Sequence, residues 1–428
     1  MSQHPPRPLR PDPADAPGGA ERIACPDCGL AQTLPHVSAG ALAECARCRK
    51  QFAQPHPASI DAALAFSAGA LLLWLPAAAT NLMLVSSSGA VREGGLADGV
   101  HALWVNGYPL LALLVATFSL AIPSVYLVLL PYVLLRVRAG GLTERTGGRI
   151  GALFRWVTAL RPWMMLDVYF LGCCVAYERL QQVATVSIGT AGWCLIAVTL
   201  LLLLALAALD ERTVWNALPV RAGAQPRSTH PAHALSCLVC DLMQPASHAG
   251  GRCPRCHATL HLRKRAALQR TSALVLCGFL LYVPANLLPV LSIERYGQVE
   301  HDTILRGVWE LAENGLWLLA AIVFTASIVI PLAKLCALTW NLLLTSVGSP
   351  RALVLRTRLH RFIDRIGRWS NIDVFMVSIL VALVQFGVLT HVRAQPGIVA
   401  FAAVVVITMI AAQCFDSRLM WDAAGERS

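Results

Sequence analysis

The sequence predicts an all-α polytopic membrane protein made of two tandem copies of a four-helix transmembrane unit. Three observations carry that prediction: an apolar composition, an internal repeat, and a four-cysteine module that precedes each copy. The 428 residues are 56% hydrophobic and 14% charged, with a mean hydropathy of +0.58. That is far too apolar for a soluble globular chain. Eight windows reach the ~18 apolar residues that mark a spanning helix. They lie near 60–85, 109–136, 163–185, 189–209, 271–293, 315–344, 371–392 and 397–415.

The first 22 residues hold six prolines and no apolar run, which predicts a disordered tail rather than a signal peptide and leaves the first span to direct insertion. The net charge of +11 raises nucleic acid as a partner, but the basic residues fall in alternate connections between spans. Residues 136–161 carry six arginines and 351–368 six more, while 86–108 carry only Arg92. The positive-inside rule explains this pattern without a nucleic acid. It puts 136–161, 346–368 and both termini in the cytoplasm, and 86–108 and 294–314 outside.

The repeat is read without gaps. "VNGYPLLALLVATFSLAIP" (105–123) matches "ENGLWLLAAIVFTASIVIP" (313–331) at an offset of 208. "WMMLDVY" (163–169) matches "WSNIDVF" (369–375), and "LDERTVWN" (209–216) matches "FDSRLMWD" (415–422), both at 206. An even number of spans per copy makes this a parallel repeat, unlike the inverted repeats of many transporters. Trp163, Trp369, Trp215 and Trp421 read as interfacial anchors.

Each copy follows two CxxC pairs: Cys25, Cys28, Cys45 and Cys48, then Cys237, Cys240, Cys253 and Cys256. Paired thiolate knuckles at this spacing arrange four sulfurs around one ion, as in a small cytoplasmic zinc ribbon. Two structural Zn2+ ions are expected. Iron held as in rubredoxin and a disulfide framework compete, the latter against a reducing compartment. With four protein ligands no position stays open for water, so catalytic zinc is not expected. His230, His233, His248, His257 and His261 read as surface histidines. The implied organisation is a tail at 1–22, a ribbon at 23–54, four spans at 58–216, a linker at 217–234, a second ribbon at 235–262, four spans at 268–422, and a tail at 423–428.

These motifs, with "VPANLLPVLS" (283–292), resemble the paraquat-inducible protein A family along nearly the whole chain. In the first copy the proline motif is degraded to "LPAAATNLMLV" (75–85). The resemblance implies an inner-membrane component of an intermembrane lipid-transport system. Its partners would be membrane phospholipids and a periplasmic MCE-domain tunnel protein. Composition and spacing alone reach only a duplicated eight-span protein with cytoplasmic ribbons.

Comparing the copies points to the second as the working half. Ser119 matches Ser327 and Asp167 matches Asp373, but Tyr126 stands opposite Lys334 and Leu202 opposite Thr408. A lysine at bilayer depth costs at least ~2.5 kcal/mol. The expectation is therefore a buried Lys334–Asp373 pair supported by Ser327 and Thr408, with Asp373 at the cytoplasmic start of the seventh span. The competing reading has Lys334 snorkelling and Asp373 capping a helix. Pro284, Asn286, Pro289 and Pro331 interrupt nearby helices and are candidates for gating or for lining a cavity. Three functions follow: lipid passage, a membrane scaffold whose ribbons bind a cytoplasmic protein, and a thiol redox enzyme, which tight metal occupancy disfavours. Without a Walker A or similar phosphate loop, ATP hydrolysis is not expected, and the chain reads as no enzyme.

Overall fold

The computed structural model describes residues 21–34, 43–52, 60–87, 90–181, 184–220, 234–295, 298–383 and 390–425. The tail at 1–20, most of the linker with His230 and His233, and residues 426–428 lie outside the described residues. Among the described residues, eight segments are long and apolar enough to cross a membrane. They are Ile60–Ala79, Pro109–Ala139, Glu144–Gln181, Thr190–Ala208, Ala267–Leu287, Trp317–Ser346, Leu353–Leu383 and Pro396–Cys414. The first packs along the fourth and the fifth along the eighth, so both copies use the same arrangement.

Two boundaries differ from expectation. The first and fifth spans stop at Ala79 and Leu287, because the apolar residues that follow are strands: Asn81–Ser87 and Leu291–Arg295. Each is the centre of a three-stranded antiparallel sheet, flanked by Ala90–Gly95 and Thr185–Ile188 in the first copy and by Gln298–Asp302 and Thr390–Ala394 in the second. Hydropathy windows cannot separate an apolar strand from the end of an apolar helix. Since one span connects each ribbon to its sheet, the sheets lie at the membrane face opposite the ribbons.

The second difference concerns 136–161 and 346–368, expected as loops. Both are largely helical, as Glu144–Leu160 and Leu353–Ile366. Each turns through a 3-10 segment, Arg161–Trp163 or Gly367–Asn371, into the rest of its span. Their arginines lower the window average although one face is apolar: Ile150, Phe154 and Val157 are buried while Arg145 and Arg149 are exposed. Thr143 starts the first of these helices with a capping box to Thr146, satisfying backbone donors that a helix start leaves free.

The paired Asn-Gly motifs end the short helices Asp98–Val105 and Ile304–Glu313. Asn106 and Asn314 donate to the carbonyls of Ala102 (2.7 Å) and Glu310 (2.9 Å). Gly107 and Gly315 then take φ of 85° and 82°, the left-handed turn that glycine adopts without strain.

A π-helical turn interrupts the second and the sixth span at matching places, Thr117–Ala121 and Thr325–Val329. The prolines of the repeated motif explain it. Pro123 and Pro331 each crowd the carbonyl four residues back, at Ser119 and Ser327, and cannot donate to it, so the helix widens by one residue there.

The copies meet about a pseudo-two-fold axis, since equivalent residues touch each other. Tyr169 and Phe375 pack edge to face at 5.3 Å, and Asn371 approaches the Met165 sulfur at 2.7 Å. Both pairs are 206 apart. Ile372–Leu383 lies at this junction, with every residue but Ala382 buried.

The ribbons are crossed. The first ribbon shares a core with Leu335, Leu338, Phe415, Met420 and Trp421 of the second copy. Arg361 holds it there, donating to the Cys48 carbonyl (3.0 Å) and pairing with Asp27 (3.0 Å). The second ribbon sits on the helix Glu144–Leu160 of the first copy. Gly148 and Gly151 there are so close to His257 and the Arg255 carbonyl that a Cβ at either would collide. Trp215 and Trp421, expected as interfacial anchors, are instead buried in these junctions, because the docked ribbon covers them. Trp163 stacks on Phe118 at 5.8 Å, and Trp369 is exposed.

Candidate functional site

Four nearly identical knuckles build the cysteine clusters. In each, the residue after the second cysteine (Gly29, Arg49, Asp241 or His257) has positive φ and donates to the carbonyl of the first, at 2.8–3.1 Å. The sulfurs of Cys25 and Cys48 are 3.5 Å apart and those of Cys28 and Cys45 3.6 Å. In the second cluster Cys237–Cys256 is 3.5 Å and Cys240–Cys253 3.6 Å. Each set of four lies within 4.8 Å. A tetrahedral ion with ~2.3 Å bonds to sulfur has edges of ~3.8 Å, so both sets fit one metal each. Among the described residues these are the clusters able to hold an ion, and no histidine joins them.

The polar residues of the second copy are all buried: Ser327, Lys334, Asp373 and Thr408 are at most 4% exposed. They do not form the expected pair. The Lys334 ammonium donates to the Gly367 carbonyl at 2.8 Å and has no carboxylate among the ion pairs of the described residues. Both Asp373 carboxylate oxygens and the Ser327 hydroxyl lack a hydrogen-bond partner. Ser327 lies close enough to influence the carboxylate without bonding geometry. Thr408 donates to its own helix at Val405 (2.9 Å) and faces the fifth span near Gly278.

The reason is the interrupted seventh span. Its 3-10 segment presents the Gly367 carbonyl, which also accepts from Ser370 at 2.9 Å, on the Lys334 side. Asp373 follows within the second helical piece, inside the span rather than at its start.

Asp373 instead lines a small cavity, with room for about one or two water molecules and partly open to the surroundings. The cavity reaches from Asp373, Met376 and Val377 to Leu291, Asp302 and Thr303 at the sheet of the second copy. Arg179 enters it from the first copy and donates to the Gly307 carbonyl at 3.0 Å. None of Pro284, Asn286, Pro289 and Pro331 lines this cavity. Asn286 bonds its own helix at Tyr282 (2.9 Å), and Tyr282 reaches the Ile328 carbonyl in the π-turn (3.3 Å). Sequence reasoning missed Gly367, Arg179 and Asp302. Only Arg179 carried a signal, as a lone arginine in the last turn of an apolar span, at the end away from the ribbons.

A buried cluster with no acidic member sits at the end of the sixth span. Arg356, 1% exposed, donates to the Asn341 and Ser349 carbonyls and to the side chains of Asn341 and Thr345, at 2.9–3.3 Å. It caps that helix C-terminus, whose free carbonyls and dipole favour a cation.

The family model described as paraquat-inducible protein A matches residues 60–219 and 268–425, the two span units. The chain is a member of the paraquat-inducible protein A family. It is 30% identical to "Intermembrane transport protein PqiA" of Escherichia coli over 94% of this chain and 96% of that one. It is 29% identical to "Lipophilic envelope-spanning tunnel protein A" of the same organism, over 93% and 91%. A Haemophilus influenzae relative of the family, "Probable intermembrane transport protein", is 25% identical over 93% and 95%. No solved structure matches the chain.

Proposed function

We propose that this chain is the inner-membrane component of an intermembrane lipid-transport system. It passes phospholipids between the inner membrane and a periplasmic MCE-domain tunnel protein, without being an enzyme. The observation that carries the reading is the asymmetry of the copies. At matching depth the second holds Ser327, Lys334, Asp373 and Thr408, all buried, where the first has Tyr126 and Leu202 in place of Lys334 and Thr408. Similarity to relatives named for intermembrane transport supports it. Each ribbon holds one structural zinc on its four cysteines. Both ribbons and both termini face the cytoplasm, the outer sheets face the periplasm, and the unit boundaries are those of the two cysteine modules and the two span units.

Complementation of a strain lacking this protein tests the reading. Asp373→Ala at normal expression should abolish rescue, and full rescue would leave the chain as a scaffold only. Periplasmic thiol labelling tests the orientation. A cysteine at Val299 should react and one at Leu355 should not.

A further inference from the structure

The short helices before the second and sixth spans, Asp98–Val105 and Ile304–Glu313, carry large apolar side chains that no described part of the chain covers. Around Ile304–Glu313 the helical period gives three sectors. Ile304, Gly307 and Leu311 are buried against the protein. Leu305 and Trp309 stand out from it, Trp309 at 67% exposure, with Val308 and Ala312 half-buried beside them. Arg306, Glu310 and Glu313 make the third sector. The Trp309 indole donates its N–H to Glu313 at 2.6 Å, so its polar edge turns to the charged sector and its hydrocarbon is left uncovered. The first copy reaches the same result with a different residue. Trp104, 61% exposed, stands at the position of Ala312, and His101 at that of Trp309. Those positions are three apart and share a helix face, so each copy turns one tryptophan outward on the same sector.

Connection, continuity and size together say what covers these faces. Each helix is tied to the start of a span by the same turn. Leu316 and Gly315 donate to the carbonyls of Leu311 and Ala312, both at 3.0 Å, and Tyr108 and Gly107 to those of Leu103 and Trp104, at 3.0 and 3.1 Å. This doubly bonded C-terminal turn keeps the helix end beside the first residues of the span. Those residues are lipid-facing: Trp317, Leu318 and Leu110 are exposed, Leu318 at 79%, so the apolar strip of the helix runs on into the apolar surface of the span. One quadrant of a helix about 15 Å long and 10 Å across offers roughly 120 Å², against the ~800 Å² per partner of a specific protein complex. An interfacial helix needs no more than such a strip, with tryptophan at headgroup level. We propose that Asp98–Val105 and Ile304–Glu313 lie in the headgroup region of the leaflet at the sheets' face. Trp104, Leu305 and Trp309 enter the acyl boundary there, while Arg306, Glu310 and Glu313 face water. The two helices set the depth of the second and sixth spans and seat each three-stranded sheet at the membrane surface. Their ligand is the lipid surface as such, with no headgroup selected.

Photo-crosslinking from within the full chain tests this. The photoreactive residue p-benzoyl-L-phenylalanine replaces Trp309, Trp104 or Leu305 in turn, in membranes isolated from expressing cells, and the intact mass after irradiation reads what each ring touched. Leu318 is the lipid-facing reference, and Val299, exposed on the edge strand Gln298–Asp302, the water-facing one. Addition of one phospholipid is expected at all three sites, within about threefold of the yield at Leu318 and at least about tenfold above that at Val299. A yield no higher than at Val299, or a chain joined to another protein, would overturn the proposal for that helix. Each replacement falls at an exposed position, and an unchanged melting temperature would show that the fold is kept. Leu305 gives Ile304–Glu313 a second site should the Trp309 replacement fail to fold. The yields should also be unchanged in Asp373→Ala. Their loss there would assign the adduct to transported lipid and overturn the interfacial placement.

Discussion

Lys334 is 1% exposed, and its ammonium donates to a single carbonyl, that of Gly367. This is thin compensation for a buried charge, so the cation is costly to the fold. Lys334→Met should leave the melting temperature unchanged or raise it, because Ser370 still donates to that carbonyl. Rescue in the complementation assay should nevertheless be lost; full rescue at normal level would make the lysine a mere anchor. Gly367→Ala acts on the same contact from the other side. Its Cβ would occupy the place of the lysine's Cε and Nζ, so the lysine must shift at a cost of ~1–3 kcal/mol. Asp416, beyond the last span, shows a different balance. Burial pushes its carboxyl up, but two bonds from Arg418 (2.9 Å each) and one from the Lys264 amide (3.1 Å) outweigh that and hold it below its ordinary range. A carboxyl depressed by folding stabilises above its unfolded pKa of ~3.9 and loses that contribution as pH falls through the lower folded value. Asp416→Asn should therefore lower the melting temperature at pH 7 and flatten its decline below about pH 4.

The ribbons are the elements that a bound metal would stabilise. Structural zinc contributes on the order of 10 kcal/mol to folding of such modules, so each cysteine should matter more than any single apolar contact. The purified chain should carry two zinc ions, and elemental analysis finding iron would reject that assignment. Crossed docking makes the consequences of metal loss distinguishable. Cys25→Ala should raise hydrogen exchange in the second copy around Phe415 and Trp421, which the first ribbon covers. Cys237→Ala should do so around Gly147–Val157 of the first copy. If each ribbon instead protected its own copy, the two patterns would be reversed. The four knuckles were legible in the sequence because a CxxC turn is local: spacing fixes which backbone amide meets which carbonyl. The π-turns were not read, although the prolines that cause them were, because a widened turn changes the backbone without changing composition. The strands that follow the first and fifth spans were hidden inside hydropathy windows, and the amphipathic parts of the third and seventh spans were hidden by their own arginines.

At the scale of the whole molecule, the pseudo-two-fold junction sets how closely the copies approach. Gly172 faces Phe375 Cβ at 3.0 Å and the backbone of Ile372 and Met376 at 3.3 Å, measured from where its own Cβ would be. Gly172→Leu should force the copies apart at a cost of ~1–3 kcal/mol or more, read as a lower melting temperature with both zinc ions retained. The sequence by itself determined the eight spans, the duplication, the two cysteine modules and the family, because these depend on composition and on order along the chain. It also marked the second copy as the polar one, since a residue-by-residue comparison of halves needs no coordinates. Tertiary structure alone decided that the ribbons cross, that Lys334 faces a carbonyl, and that Asp373 shares a cavity with Arg179. Those contacts join residues 33 to more than 300 positions apart in sequence. Their partners are chosen by how rigid helices pack about a common axis, and one half-turn of a span exchanges a carbonyl for a carboxylate with no change in the sequence pattern.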